Sequence, residues 1–237
     1  VRIVFTSAGN PKTWTEHLHE HGIIVAHVGA STKVAAKCEE AGVEIVAEGF
    51  EAGGHNGREE TTTLCLIPAV RQITTVPLIA AGGIGSGESI LAAMALGADG
   101  VQIGTRFALT EESSAHFTFK DRCLRLNEGD TQLTLKQLSP VRLVKNDSSN
   151  KWKKRKAVAR QRMNYAFVRK RTCKKGIFEG DLFEGELEIG QVASCIHKLQ
   201  TVDEVMKELV EDFNAALNRV NEFKDLSDGA DNERIKK

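Results

Sequence analysis

The sequence lacks a net charge. Its 32 Lys and Arg balance 32 Asp and Glu, so overall charge marks the chain neither as a polyanion binder nor as a membrane-surface binder. It also lacks any run of 18 apolar residues, and no membrane-spanning helix is expected. A Cys-x-x-Cys pair is missing too. The five cysteines (Cys38, Cys65, Cys123, Cys173, Cys195) are odd in number and widely spaced. That pattern argues against a zinc knuckle or a redox dithiol and fits a reduced, cytoplasmic protein whose thiols pack as small apolar groups. The opening "VRIVFTSAGNP" has no basic start or small-residue cleavage pattern. It begins inside a strand, as a fragment or a processed product would.

What is present is a repeated unit in residues 1–110. Five short Val- and Ile-rich runs, at 1–5, 23–28, 43–49, 76–81 and 100–104, alternate with helix-like stretches. Continuous apolar runs, rather than alternating ones, fit strands of a parallel sheet buried on both faces. Ser31 and Thr32 can cap a helix that stops at Gly42, and Ser86 can cap one that stops at Gly97. Strand–helix alternation at this spacing gives βα units, hence either a doubly wound sheet or a (β/α)8 barrel of the TIM type. Five units fall three short of a full barrel, which makes a barrel incomplete on its N-terminal side.

Beyond residue 111 the rhythm stops. Residues 112–145 read as helical and mixed. Residues 151–175 hold twelve Lys or Arg and no acidic residue, leaving 20 basic against 32 acidic residues elsewhere. Thr201 and Glu204 form a capping-box pattern before a helix that places Val202, Val205, Met206, Leu209, Val210, Phe213 and Leu217 on one packing face. The expected division is a barrel portion at 1–125, a helical and irregular region at 126–223 packing on it, and a polar, disordered tail at 224–237.

Three loops follow strands, where parallel α/β folds collect ligands. In "AGGHNG", Gly53 and Gly54 permit close backbone approach, and His55 supplies an imidazole able to move a proton near neutral pH. The bland alternative is a turn carrying a surface histidine. In "AAGGIGSGES" (80–89), a glycine-rich turn before a capped helix suits a phosphate. It has neither the G-x-G-x-x-G nor the Gly-Lys-Ser/Thr signature, and a tight turn would explain it equally well. In "QIGTRF", Gly104 and Thr105 offer a backbone N–H and a hydroxyl at the end of the next strand. The two adjacent loops together resemble the phosphate clamp of many barrels.

With "EGFEAGGHNG", "PLIAAGGI", "LGADGVQIGTRF" and "TSAGNP" in order over residues 1–120, the chain resembles the nitronate monooxygenase (2-nitropropane dioxygenase) family of FMN-dependent barrels. The related flavin-dependent enoyl-acyl-carrier-protein reductases carry similar motifs. The resemblance implies FMN as cofactor and equates the five strands with the fourth to eighth of the family barrel. It implies His55 as the catalytic histidine, with Glu48, Gly53 and Gly54 near the flavin. Gly82 and Gly83 would form the phosphate turn, and Gln102, Ile103, Gly104 and Thr105 the second phosphate loop. The implied partners are O2 with a nitronate, or NAD(P)H with an enoyl thioester or quinone; a non-catalytic flavin-binding remnant and a homodimer stay open.

Several features read as bland. His17, His19 and His21 lie at i, i+2 and i+4, which do not share a helix face, so neither a three-histidine site nor any other metal is expected. His116 reads as an ordinary helix residue, although it could line the site, and Gln191 approaches the flavin only by resemblance. The basic stretch, with Trp152, Tyr165 and Phe167 interleaved, has no module signature, and nucleic-acid recognition is not expected.

Overall fold

The computed structural model describes residues 1–137, 139–146 and 172–234, with side chains as far as Glu222. Five parallel strands form one sheet: β1 (Ile3–Ser7), β2 (Ile24–Gly29), β3 (Glu44–Glu48), β5 (Leu78–Ala81) and β6 (Gly100–Gln102). They lie side by side in chain order, with a two-residue β4 (Gly54–His55) left out of the sheet. The connecting helices are α1 (Lys12–Glu20), α2 (Thr32–Ala41), α3 (Thr63–Arg71) and α4 (Gly87–Ala95). The five expected strands fall where the apolar runs are.

The choice between doubly wound sheet and barrel is made by the two faces of this sheet. Val25, Ile45, Ala47, Leu78 and Ala80 point to one side and pack with Ala35, Cys38, Leu66, Ile67, Val70 and Ala93 of the helices. Ala26, Val46 and Ala81 point to the other and cluster only with further strand residues, Val28 and Ile79. A doubly wound sheet has helices on both faces and reverses its strand order. Here order runs one way and the clustered helices cover one face, which makes the sheet an arc of a (β/α)8-type barrel. Period-2 alternation sorts the side chains, and both faces are apolar because one meets helices and the other the barrel interior.

Local signals set the ends of these elements. The Ser31 hydroxyl accepts from Val34 N–H at the start of α2, and Gly42 ends that helix in the left-handed region at φ 67°. Ser86 and Ser89 bond reciprocally as a capping box at the start of α4.

Residues 112–145, read as helical and mixed, hold strands as well as helices. After α5 (Thr105–Ala108) and α6 (Phe117–Leu124), the strands β7 (Thr131–Thr134) and β8 (Val141–Val144) form an antiparallel pair, and β4 joins the other edge of β8. Val141, Leu143 and Val144 are buried, and so is Arg142. "VRLV" alternates poorly, and its strand identity comes from partners distant in sequence. A second core of Leu109, Phe119, Cys123, Leu126, Val144, Leu187 and Ile189 ties this region to residues 187–196. Residues 172–177 are helical, and the rest of the basic stretch, 151–171, lies outside the described residues.

The C-terminal helix spans Val202–Arg234, which takes in the backbone of 224–234, part of the tail expected to be disordered. Extending an existing helix is much easier than nucleating one, and polar composition alone does not stop it. Thr201 and Glu204 make the expected box: Thr201 N–H donates to Glu204 Oε2 at 2.9 Å, and Glu204 N–H to Thr201 Oγ1 at 3.2 Å. The apolar stripe of this helix is only partly packing. Val205, Leu209 and Ala216 are buried, whereas Val202, Met206, Val210 and Leu217 remain exposed. The buried side lies against α4, where Gly87 leaves no room for a Cβ beside the backbone nitrogen of Phe213.

Candidate active site

At the carboxyl ends of β3, β5 and β6 the chain encloses a cavity of about 280 Å3. The strand ends contribute Glu48, Ala81 and Gln102, which alternation turns to the barrel interior. The three loops contribute Ala52, Gly53, Gly54, Gly82, Gly83, Ile84, Gly104 and Thr105. Glycine supplies much of the wall, so backbone rather than side chains meets the space.

The Gly82 turn is fixed by contacts with the β3 loop. Gly82 has φ 90°, and a Cβ there would lie 2.7 Å from the Gly49 carbonyl oxygen. The Thr63 hydroxyl lies 2.7 Å from the Gly82 carbonyl oxygen, within reach of donating to it, and Thr63 N–H donates to the Glu51 carboxylate at 2.9 Å. Glu51 and Thr63 thereby hold the glycine turn of β5 against the loop after β3. Gly104 is different: a Cβ there would meet nothing within 4 Å.

A segment from far along the chain closes the cavity. Leu143 on β8 bridges Glu188, Gly190 N–H donates to Thr105 Oγ1 at 3.0 Å, and Gln191 N–H donates to the Glu51 carbonyl oxygen at 2.9 Å. Glu188, Ile189 and Val192 from this segment line the cavity, together with Ala108 and Ile177. The segment passes so close that a Cβ on Gly53 would sit 2.5 Å from the Ile189 carbonyl carbon. Gln191 is not among the lining residues, and its backbone N–H is the group that bonds to Glu51. Neither Glu188 nor Val192 was among the expected site residues, since their place in the lining depends on β8, which lay in the stretch read as helical and mixed.

Among the described residues, two carboxylates and no Lys or Arg line this cavity. Burial pushes the Glu48 carboxyl up to about 7, because ionisation away from water is costly. Glu48 is therefore mostly protonated below pH 7 and titrates within the neutral range. Backbone N–H groups and the α4 dipole are available here to hold an anion.

The structure brings Glu48, Gly53, Gly54, Gly82, Gly83, Gln102, Gly104 and Thr105 together around one space. It does not place Ile103 there. Ile103 packs against the helix-side core, as alternation requires for a neighbour of inward Gln102. His55 is exposed and is not among the lining residues. Its backbone pairs with Val141 in β4–β8, so it sits on a strand next to the cavity-lining Gly54 rather than in a loose turn. His116 caps α6 by accepting from Thr118 N–H at 3.1 Å.

These features sit in known company. A family model for nitronate monooxygenase matches residues 1–212. The chain belongs to the nitronate monooxygenase family. It is 42% identical over 125 residues to a Staphylococcus haemolyticus protein named "Probable nitronate monooxygenase", and 37% identical over 138 residues to one so named in Bacillus subtilis. Those matches cover 48% and 55% of this chain but only 35% and 40% of the relatives, so the chain spans well under half their length. Among solved structures it resembles FabK from Thermotoga maritima, with TM-score 0.88 and 32% identity over 94% of this chain and 71% of that one. Nitroalkane oxidase from Streptomyces ansochromogenes follows with TM-score 0.76 and 26% identity, over 93% of this chain and 66% of that one. No described helix is long and apolar enough to cross a membrane.

Proposed function

We propose that the protein is an FMN-dependent nitronate monooxygenase, converting nitronates with O2 to a carbonyl compound and nitrite. The observation that carries this reading is the meeting of Gly82–Gly83 and Gly104–Thr105 at the ends of adjacent parallel strands, beside Glu48 and Gln102. The residues present fit a flavin phosphate. Glycine backbone lines the space, an added Cβ at Gly104 would meet nothing, and the capped α4 helix begins next to the Gly82 turn. At about 280 Å3 the cavity is at the small end for a ligand site, suited to the phosphate end of a nucleotide.

FMN, when bound, supplies the electron transfer. The chain's own residues bind and orient. Gly83 and Gly104 hold the phosphate by backbone, and Gln102 offers an amide from the strand end. Glu48, protonated, donates a hydrogen bond through its carboxyl O–H. His55, next to Gly54, accepts the α-proton of a neutral nitroalkane at a ring nitrogen, or faces the anionic nitronate as imidazolium. The 186–192 segment limits water over the cavity.

The similarity to FabK supports a second reading, an NAD(P)H-dependent flavin reductase acting on an enoyl thioester. The test is flavin absorbance of the purified protein and of any longer form of it, followed by parallel assays for nitrite release from a nitronate and for NADPH oxidation with crotonyl thioester. Nitrite release supports the first reading. Thioester-dependent NADPH oxidation without nitrite replaces it, and a colourless protein overturns both. His55→Ala tests the base: turnover of neutral nitroalkane should fall about 100-fold or more with flavin retained. Unchanged turnover removes His55 from that role.

A further inference from the structure

The last turn of α1 and its C-cap residue carry "HLHEH", residues 17–21. His19 stays out of any shared site, as its i+2 spacing requires. A different trio gathers instead. His17, Glu20 and His21 lie at i, i+3 and i+4, the spacing that puts side chains on one helix face. One ligand atom from each falls within 4.8 Å of the others, and all three side chains are exposed.

The rings are already arranged relative to each other. Their centroids are 4.7 Å apart and tilted by 55°. His21 Nδ1 lies 2.8 Å from the carbonyl oxygen of His17. A carbonyl can only accept, so Nδ1 carries the proton and the lone pair is on Nε2. An imidazole oriented by a backbone carbonyl, with its other nitrogen open, is the arrangement that metal-ligating histidines adopt.

We propose that His17, Glu20 and His21 form a surface site for a borderline divalent transition metal ion, Zn2+ being the probe. Two imidazole nitrogens and one carboxylate oxygen suit Zn2+, with Zn–N and Zn–O near 2.0–2.2 Å and a water completing the tetrahedron. The same set is poor for Ca2+ or Mg2+, which demand oxygen ligands. Reaching coordination from the observed spacing takes rotamer changes in exposed side chains only. The ion would clip the final turn of α1 to its C-cap residue, His21. That turn leads into the start of β2, at the end of the sheet opposite the flavin-type cavity. Metal binding is therefore independent of the proposed oxidoreductase activity.

The test is a Zn2+ titration of the metal-stripped chain against a chromophoric chelator, with thermal unfolding in parallel. One Zn2+ per chain is expected, with a raised unfolding temperature. His17→Ala and His21→Ala should each weaken binding about 100-fold, and Glu20→Gln about 10-fold. His19→Ala should bind as the parent does, and circular dichroism should show every variant folded. Absence of saturable binding up to millimolar Zn2+ overturns the proposal. Binding that survives both histidine variants but disappears on alkylating the exposed thiols of Cys65 and Cys195 also overturns it, by assigning the metal to sulfur.

Discussion

Arg142 on β8 holds the loop that follows β3. Its Nη2 donates to the Phe50 carbonyl oxygen at 2.8 Å, and its guanidinium carbon lies 4.5 Å from the centre of the Phe50 ring. Nη1 donates to Thr131 Oγ1 at 3.2 Å. One buried cation thus joins the hairpin to the loop carrying Gly53 and His55. Removing it strands the Phe50 carbonyl. Arg142→Met should lower unfolding free energy by about 2–4 kcal/mol, read from urea midpoints. Arg142→Lys should recover less than half of that, because an ammonium lacks the planar fork. Parent-like midpoints for Arg142→Met would mean that the contact stabilises nothing.

Glu48 makes stability depend on pH in a defined direction. Its carboxyl is raised from 4.5 to about 7 in the fold, so between those values the native state holds a proton that the unfolded chain has lost. The stability present below pH 4.5 therefore falls as pH rises towards 7, then levels off. Glu48→Gln should be more stable than the parent by up to about 3 kcal/mol at pH 8, and indistinguishable from it near pH 4. A difference that does not change with pH would count against this account.

His27 acts at the other end of the scale. It is 2% exposed, its Nδ1 lies 2.8 Å from Thr6 Oγ1, and burial lowers its pKa from 6.5. A neutral buried imidazole contributes fully above the unfolded value, and its contribution is lost as pH falls below about 6.5. The unfolding temperature of the parent should drop more steeply between pH 6.5 and 5 than that of His27→Gln. Parallel curves would contradict this.

Gly82 and Gly104 separate folding from binding. Gly82→Ala forces a Cβ to 2.7 Å from the Gly49 carbonyl oxygen at φ 90°, and should cost about 2 kcal/mol or more of stability. Gly104→Ala has φ −99° and open space around its Cβ, so unfolding should be nearly unchanged. On the FMN reading that methyl enters the cavity, and flavin affinity should fall about 10-fold. Equal flavin binding by Gly104→Ala and the parent would place the flavin elsewhere.

Much of the molecule was legible because it rests on local signals. Val25 to Val28 and Ile45 to Ala47 read as strand, since both faces of a parallel sheet are apolar. Ser31, Gly42 and Ser86 mark helix ends by chemistry confined to a few residues. β8 was not legible. "VRLV" owes its strand form to pairing with Thr131–Thr134 and Gly54–His55 and to burial of Arg142 beneath Phe50.

The candidate site divides along the same line. By itself the sequence determined which loops end buried strands and that glycine lines them, because hydrophobic period and backbone freedom are properties of short segments. Alternation could already have turned Ile103 away from Gln102. Only the tertiary structure decided that Glu188 and Val192 line the cavity, that burial raises the Glu48 carboxyl, and that His55 is exposed beside the lining Gly54 rather than among the lining residues. Those outcomes depend on burial and on contacts between residues far apart in the chain, such as Gln191 with Glu51, which no local pattern records.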